Sequence, residues 1–444
     1  MAGPAVNKYL NSLVNYEKDI NYSYQETFKL RRIQDFLSII GNPQKSLRII
    51  HVAGTKGKGS TCALAAYILR EAGFSAGLYT SPHLKDFRER IRILRPFVDS
   101  RRRKGGDFEG RITKKSLADL VKELKPLINQ YNRYSKYGRL SFFEVYTALA
   151  FLYFKRQQAD FVVLETGLGG RLDATNAADS LVCGITPVSF EHVQKLGNTL
   201  AKITAEKAGI IKRKGAIVIS AWQPPEARRV IHRRCKKFQA RLYEIGRQIK
   251  YTLSKRRLAI KSLENDYKNL DLNLLGEHQA ANAALAVGLV EGLSYCGFNI
   301  PAGAIRQGLK NAVWPGRCEI VGRCPLVVLD GAQNAASAQV LRRAVEDNFQ
   351  YRKLILVLGI SGDKDIAGIC RILAPLADEV ILTCAATSRA VDPRKLAAYF
   401  PGNPYLTKSV KEAKLLAGRL AKEKDLILVT GSLFVVGEFR DAGR

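Results

Sequence analysis

Acidic residues are scarce in this chain of 444: 40 Asp and Glu stand against 71 Lys and Arg, a formal net charge of +31. Long apolar runs are missing as well. The longest, such as Thr147–Phe154, fall well short of the roughly 18 residues that a membrane-crossing helix needs. Histidine is sparse at five residues, and the eight cysteines (Cys62, Cys183, Cys235, Cys296, Cys318, Cys324, Cys370, Cys384) form no C-x-x-C pair. Little is left from which to build a zinc site. Several cysteines lie in apolar strand-like runs, as Cys183 does in LVCGIT, where a thiol is a small buried hydrophobe. All eight are expected to be reduced and structural. The opening MAGPAVNKYLNSLVNYEKD lacks the basic-then-apolar pattern of a secretory signal. The expectation is a soluble, cytoplasmic protein.

What is present bounds the fold. Apolar residues make up 46% of the chain, which excludes wholesale disorder. One core rarely serves more than roughly 250–300 residues, so two domains are expected. The excess of positive charge admits a nucleic-acid binder, an enzyme that steers polyanionic small molecules, or a basic surface with no specific partner. Lys and Arg are densest in Arg101–Lys104, Arg228–Lys237 and Lys255–Arg257, and aromatics do not interleave with them as a base-stacking platform requires.

Strand-like and helical patterns alternate along the chain. Leu47–Ala53, Phe161–Glu165, Leu181–Thr186 and Ala216–Ser220 read as buried strands, with helices over Thr61–Ala72, Phe142–Lys155 and Leu200–Lys212. This is the pattern of parallel strands covered by helices on both faces. After the Trp314-Pro315-Gly316 turn signal the alternation restarts, with strands at Leu326–Asp330, Leu354–Gly359, Glu379–Thr383 and Asp425–Thr430. The predicted fold class is α/β: an N-terminal P-loop-type parallel-sheet ATPase domain (1–312) and a smaller Rossmann-like α/β C-terminal domain (313–444). The Gly-containing basic stretch Arg95–Arg111 is expected to be an exposed loop.

The strongest local signal is GTKGKGST, Gly54 to Thr61, set between a strand and a helix. Glycines let the backbone approach phosphate oxygens, the helix N-terminus adds positive potential, and Lys58 can reach the β- and γ-phosphates. Gly59 intervenes between Lys58 and Ser60, a departure from the general G-x-x-x-x-G-K-[ST] pattern. Glu165 ends a buried strand before the glycine-rich LGGRLD loop, a fitting place for a magnesium ligand. Glu191-His192 follows the next strand, and Lys207 lies near a helix C-terminus. Taken singly, a lone His or Lys is more often structural.

Taken together, these segments resemble the folylpolyglutamate synthase/dihydrofolate synthase branch of the Mur ligases, ATP-dependent enzymes that form amides. The resemblance runs from FLSIIGNPQ (Phe36–Gln44) nearly to the C-terminus. It passes through HVAGTKGKGST, YTSPHL, FRERIRI, SFFEVYTALAF, LETGLGGRLDATN, LGNTLAKITAEKAGIIK, GEHQAANAALA, WPGRCEIV, LDGAQNAASA and VTGSLFVVGE. It implies that Thr55, Lys56, Gly57, Lys58, Gly59 and Ser60 bind the ATP phosphates. It assigns magnesium, with two ions implied, to Ser81, Glu165 and His192, and gives Lys58, Lys207 and His192 catalytic roles. Lys207 matches the lysine that the family carries as a carbamate. Nucleotide contacts fall to Asn282, Arg317 and Asp330. The folate-like acceptor is assigned to Ser141, Phe142, Phe143 and Glu144, and to Leu172, Asp173 and Ala174. The implied partners are small molecules (ATP, L-glutamate, dihydropteroate or folates), without nucleic acid or membrane, and the resemblance leans towards a monomer.

Three departures from the family pattern stand out. Glu191 precedes His192 where the family has Asp, Gln333 replaces the His of DGAHN, and Arg95–Arg111 is longer than the usual connection. Glutamine can hydrogen-bond but cannot exchange a proton near neutral pH. The rival readings are a ligase of the same fold acting on another carboxylate, such as a UDP-linked cell-wall precursor, and more distantly a nucleic-acid-binding NTPase. SFFE and GLGGRLDATN argue against the first. The second finds no helix-turn-helix, zinc-finger or ribonucleoprotein signature.

Overall fold

The computed structural model describes residues 3–17, 22–96, 108–254 and 257–442. Most of the expected loop Arg95–Arg111, residues 97–107, lies outside the described residues, as do Lys255 and Arg256. The chain divides into two compact units. One comprises Met1–His83, Phe87–Asn273 and Ala280–Ala312; the other comprises Leu84–Asp86, Leu274–Gln279 and Val313–Arg444.

Seven strands form the main sheet of the first unit: β1 (Ile49–Ala53), β2 (Ala76–Tyr79), β3 (Ile91–Leu94), β4 (Phe161–Glu165), β5 (Val182–Ile185), β6 (Ile217–Ser220) and β7 (Arg241–Glu244). Their order is β3-β2-β4-β1-β5-β6-β7. Every pairing is parallel except β2 with β3. β1, β4 and β5 are buried along their whole length, which is why they read as unbroken apolar runs. Chain order reverses around β1, flanked by β4 on one side and β5 on the other, a topological switch point at whose carboxyl end ligands bind.

Helices Lys58–Glu71 and Phe142–Arg156 are buried over most of their surfaces. The expected helix Leu200–Lys212 ends sooner, at Lys207, and tightens into a 3-10 turn over Ala208–Ile210. A small antiparallel sheet that the alternation did not predict follows, from β8 (Lys250–Ser254), β9 (Arg257–Lys261) and β10 (Asp266–Asp271).

The second unit carries β11 (Glu319–Arg323), β12 (Leu326–Leu329), β13 (Leu354–Leu358), β14 (Glu379–Leu382), β15 (Tyr405–Leu406) and β16 (Leu426–Thr430), ordered β11-β12-β16-β13-β14-β15. Only β11 is antiparallel. Its own core gathers Leu341, Leu356, Leu358, Ile369 and Leu428. All eight cysteines are free thiols, and five are buried as expected. Cys324 is the correction: it is exposed in the turn joining β11 to β12, where no core is available to cover it. Among the described residues no helix is long and apolar enough to cross a membrane.

Candidate active site

The ends of β1, β4 and β5 are level, since Val52 pairs with Glu165 and Ala53 with Ile185. Three loops therefore leave the sheet side by side. The loop after β1 is Gly54–Gly57, and its two outer glycines are required by contact. At Gly54 (φ 149°) an added Cβ would lie 1.8 Å from Thr186 Oγ1; at Gly57 (φ 83°) it would lie 2.3 Å from Asn282 Oδ1. The backbone N–H groups of Thr55 and Lys56 donate to Pro187 O at 3.0 and 3.4 Å, and Ser189 N–H donates to Thr55 Oγ1 at 3.1 Å. The loop is thus pinned to the segment after β5. Buried Gln223 braces that segment in turn, accepting from Val188 N–H at 3.0 Å and donating to Thr186 O at 3.1 Å. The first turn of the following helix begins at Lys58 and includes Gly59 and Ser60. Its N–H groups lack intrahelical acceptors, so this turn is the anion-facing end.

Two lysines distant in sequence meet on one oxygen. Lys58 Nζ and Lys207 Nζ both donate to Gly54 O, at 3.3 and 2.7 Å. Lys207 is 3% exposed, and burial, reinforced by the charge on Lys58, lowers its pKa to about 7. Lys56 forms an ion pair with Glu191. Burial alone would raise the Glu191 carboxyl, but the Lys56 charge and hydrogen bond outweigh it, so its pKa falls. The longer Glu at this position therefore holds the loop lysine. His192 follows in a left-handed backbone conformation (φ 52°) and is exposed.

Of the residues assigned to magnesium, Ser81 and Glu165 are together: Ser81 N–H donates to Glu165 Oε2 at 3.1 Å. Among the described residues no three His, Cys, Asp or Glu side chains converge. Among the described residues there is thus no closed protein cage. Magnesium is usually held by one or two carboxylates plus phosphates and waters, and the surroundings suit that. The hydroxyls of Thr61, Thr166 and Thr186 are buried without a partner, each at the end of a site strand or in the first turn of the loop helix. These are hard oxygen donors, which fit magnesium and its phosphate ligands rather than a softer metal.

The residues that the resemblance assigns to the acceptor divide by burial. Ser141 and Glu144 form a capping box on helix Phe142–Arg156, and Glu144 also takes a forked hydrogen bond from Arg32 Nε at 2.8 and 3.0 Å. Phe142 is wholly in the core, and Ala174 and Asp173 are buried. Only Phe143 and Leu172 are partly exposed. Phe143 packs on Gly167, where a Cβ would lie 2.6 Å from its Cζ. Asn282, on helix Glu277–Glu291, is 5% exposed beside Gly57.

Arg317 and Asp330 belong to the second unit. Asp330 accepts from Cys318 N–H and Ala332 N–H, each at 2.8 Å, and burial pushes its carboxyl up despite Arg317. Arg317 donates to Gly316 O at 3.0 Å. Gln333 is half-buried, with its backbone N–H on Ser337 Oγ at 3.1 Å.

Sequence reasoning passed over His51 and Thr175, which hydrogen-bond to each other across 124 residues of chain, and Arg90. The Arg90 guanidinium is buried and forks onto Glu17 at 2.7 and 2.6 Å, with Nε donating to His83 Nδ1 at 2.9 Å. The available signal was weak, because FRERIRI holds three arginines and a glutamate, and nothing in the sequence marks Arg90 as the buried one that forks onto Glu17.

Two family descriptions match the chain: "Mur ligase middle domain" over residues 113–290 and "Mur ligase, glutamate ligase domain" over residues 316–433. The chain is 32% identical to the dihydrofolate synthase/folylpolyglutamate synthase of Bacillus subtilis, covering 93% of this chain and 94% of that one. It is 37% identical to a probable bifunctional folylpolyglutamate synthase/dihydropteroate synthase of Haloferax volcanii, of which it spans 50%. Among solved structures, the folylpolyglutamate synthase of Mycobacterium tuberculosis complexed with ADP and AMPPCP superimposes with a TM-score of 0.86 at 29% identity, covering 100% of this chain and 98% of that one. Escherichia coli FolC in complex with DHPP and ADP gives 0.81 at 29% identity, covering 98% and 97%.

Proposed function

From the premise that this chain belongs to the folylpolyglutamate synthase/dihydrofolate synthase family of Mur ligases, we propose that it is an ATP-dependent ligase. It joins L-glutamate to dihydropteroate, to reduced folyl-polyglutamates, or to both. The observation that carries the reading is the meeting of Lys58 and Lys207 on the Gly54 carbonyl, inside a glycine loop that opens a helix at the switch point.

The acceptor carboxylate attacks the γ-phosphorus of ATP, the bond to ADP breaks, and an acyl phosphate forms. The α-amino group of glutamate then attacks the acyl carbon, phosphate leaves, and an amide remains. Phosphoryl transfer asks for positioning and neutralised charge rather than a strong base. In this reading the helix turn Lys58 to Ser60 and the Lys58 ammonium hold the phosphates, while Lys56 stays paired with Glu191 and keeps the loop in register. Ser81, Glu165 and His192 are the residues that would hold magnesium, which neutralises phosphate charge. Two ions are in keeping with the family.

Lys207 has the properties of a lysine that takes up carbon dioxide. With its pKa lowered to about 7, much of the amine is neutral near neutral pH. Its lone pair attacks the carbon, an N–C bond forms, and the ammonium proton leaves to solvent. An anionic carbamate results.

Residues 1–312 are taken as the ATP- and folate-binding domain and 313–444 as the glutamate ligase domain, with nucleotide contacts proposed for Asn282, Arg317 and Asp330. A cytoplasmic monomer is part of the same reading.

The test is ADP release by purified protein with magnesium-ATP and glutamate, dihydropteroate and tetrahydrofolate being offered separately. Stimulation by both makes the protein bifunctional, and stimulation by one assigns the narrower role. ADP release indifferent to either sinks the proposal.

A further inference from the structure

The basic run Arg228–Lys237 has no part in the ligase chemistry, and the fold turns it into one face of a helix. In helix Pro225–Phe238 the apolar positions Ala227, Ile231 and Cys235 are buried, in a core shared with Ile203 and Val218. The other face presents Arg229, Arg233, Lys236 and Lys237, all exposed. At 1.5 Å of rise per residue these four span about 12 Å, in steps of roughly one helical turn. The carboxylates nearby are already engaged. Glu226 accepts from Ala201 N–H at 3.1 Å, and Glu244 pairs with Arg228, His232 and Arg247. Among the described residues, none of the four exposed cations has a carboxylate partner. The helix dipole favours Lys236 and Lys237 in the last turn, but its effect does not reach Arg229 or Arg233.

This face lies away from the substrate loops. Gly215 N–H donates to Phe238 O at 3.1 Å and Arg241 N–H to Ala216 O at 2.9 Å, so the cationic end of the helix is level with the starts of β6 and β7. β6 runs in register with β5, Ile217 facing Val182 and Ser220 facing Ile185, and the candidate site opens at the far ends of these strands. Four residues of strand, about 13 Å, separate the two levels. Physiological salt screens exposed charge over about 8 Å, so the stripe is largely hidden from the proposed substrates. At its own level Arg213 and Lys214 are exposed, and the Arg241 guanidinium lies 5.8 Å from the centre of the Tyr295 ring. Tyr295 stacks on Tyr243, with centroids 5.7 Å apart and planes 7° from parallel, and is 42% exposed. Glu264, at the rim, accepts from Ser294 Oγ at 2.8 Å. The aromatics that the linear sequence keeps apart from its basic runs are thus brought beside them by the fold.

We propose that this face is a docking surface for single-stranded nucleic acid. Arg229, Arg233, Lys236 and Lys237 meet successive phosphates, and the Arg241–Tyr295 pair offers a flat surface to a base. A membrane surface is the poorer match. An interfacial helix needs an apolar face to insert, and this helix has spent its apolar face on the core. The surface is separate from the ligase site and stands whether or not the ligase reading does.

Fluorescence anisotropy of a labelled oligoadenylate, titrated with the full-length protein with and without magnesium-ATP, tests it. Dissociation constants in the micromolar range are expected near physiological salt, unchanged by ATP, with log affinity falling steeply against log salt. Replacing Arg229, Arg233, Lys236 and Lys237 together by alanine should make that slope shallower by about 3, since each phosphate contact on a single strand contributes about 0.7. Tyr295→Ala should weaken binding about tenfold and leave the slope alone. All five side chains are exposed, so thermal unfolding midpoints should not move with these changes. No binding at about 50 mM salt, loss of binding when ATP is added, a slope indifferent to the fourfold variant, or an affinity indifferent to Tyr295 overturns the proposal. Displacement by polyaspartate of matched charge as readily as by unlabelled oligoadenylate also overturns it, and would make the face a receptor for acidic polypeptide. Tighter capture by phosphatidylserine vesicles than by the oligonucleotide, lost in the fourfold variant, would assign it to a membrane instead.

Discussion

Lys207 carries the clearest pH signature of any single residue. An unfolded lysine titrates at its ordinary 10.5, whereas in the fold burial, and then the Lys58 charge, bring the value to about 7. Between those values the unfolded chain holds a proton that the folded one does not, so stability rises with pH across this window. The slope from this residue is at most about 1.4 kcal/mol per pH unit. Urea midpoints measured from pH 7 to 9 in carbon-dioxide-free buffer should climb more steeply in the unaltered protein than in Lys207→Met. Parallel slopes would mean that the fold keeps Lys207 charged. This lysine and the glycines of the loop were legible in the sequence because their spacing is local or their motif extended. His51 was not: nothing in a strand reading IIHVA announces that the imidazole meets Thr175, 124 residues further on.

Helix Phe142–Arg156 shows what an element needs beyond propensity. Its start is fixed by the Ser141–Glu144 capping box, and the same carboxylate neutralises Arg32, with side chains only 7% and 8% exposed. Glu144→Ala removes the cap and leaves a buried guanidinium without its counter-ion. It is expected to cost about 3–5 kcal/mol in urea unfolding. A loss under about 1 kcal/mol would mean that the pair behaves as a solvated surface bridge. Among the strands, β1, β4 and β13 were readable because both faces are covered and the run is apolar throughout. The antiparallel trio β8–β10 was not, because one face meets water. In β9 Leu258 and Ile260 are buried while Arg257 and Lys261 are exposed, a weak period-two signal diluted by charge. β2, with the short sequence AGLY, offers almost no pattern at all.

At the scale of the whole molecule, the charge of +31 finds a use in the proposed substrates, all of them anions. A diffuse positive field acts more strongly on a more highly charged ligand and is screened within about 8 Å at physiological salt. Raising the salt should therefore increase KM more for an acceptor bearing several γ-glutamyl groups than for one bearing a single glutamate. Equal salt dependence would confine the electrostatics to the loop lysines. The order of the main sheet has a consequence of another kind. β1 is zipped between β4 and β5, so Ile49 faces Val162 and Ile50 faces Val182. The residues around the glycine loop range from Gly54 to Asn282 along the chain. No nascent segment ending before Asn282 contains them all, and pairings of such long sequence separation form slowly. In the proposed reading, affinity for nucleotide is thus acquired late in synthesis, as a certificate that the whole sheet has closed.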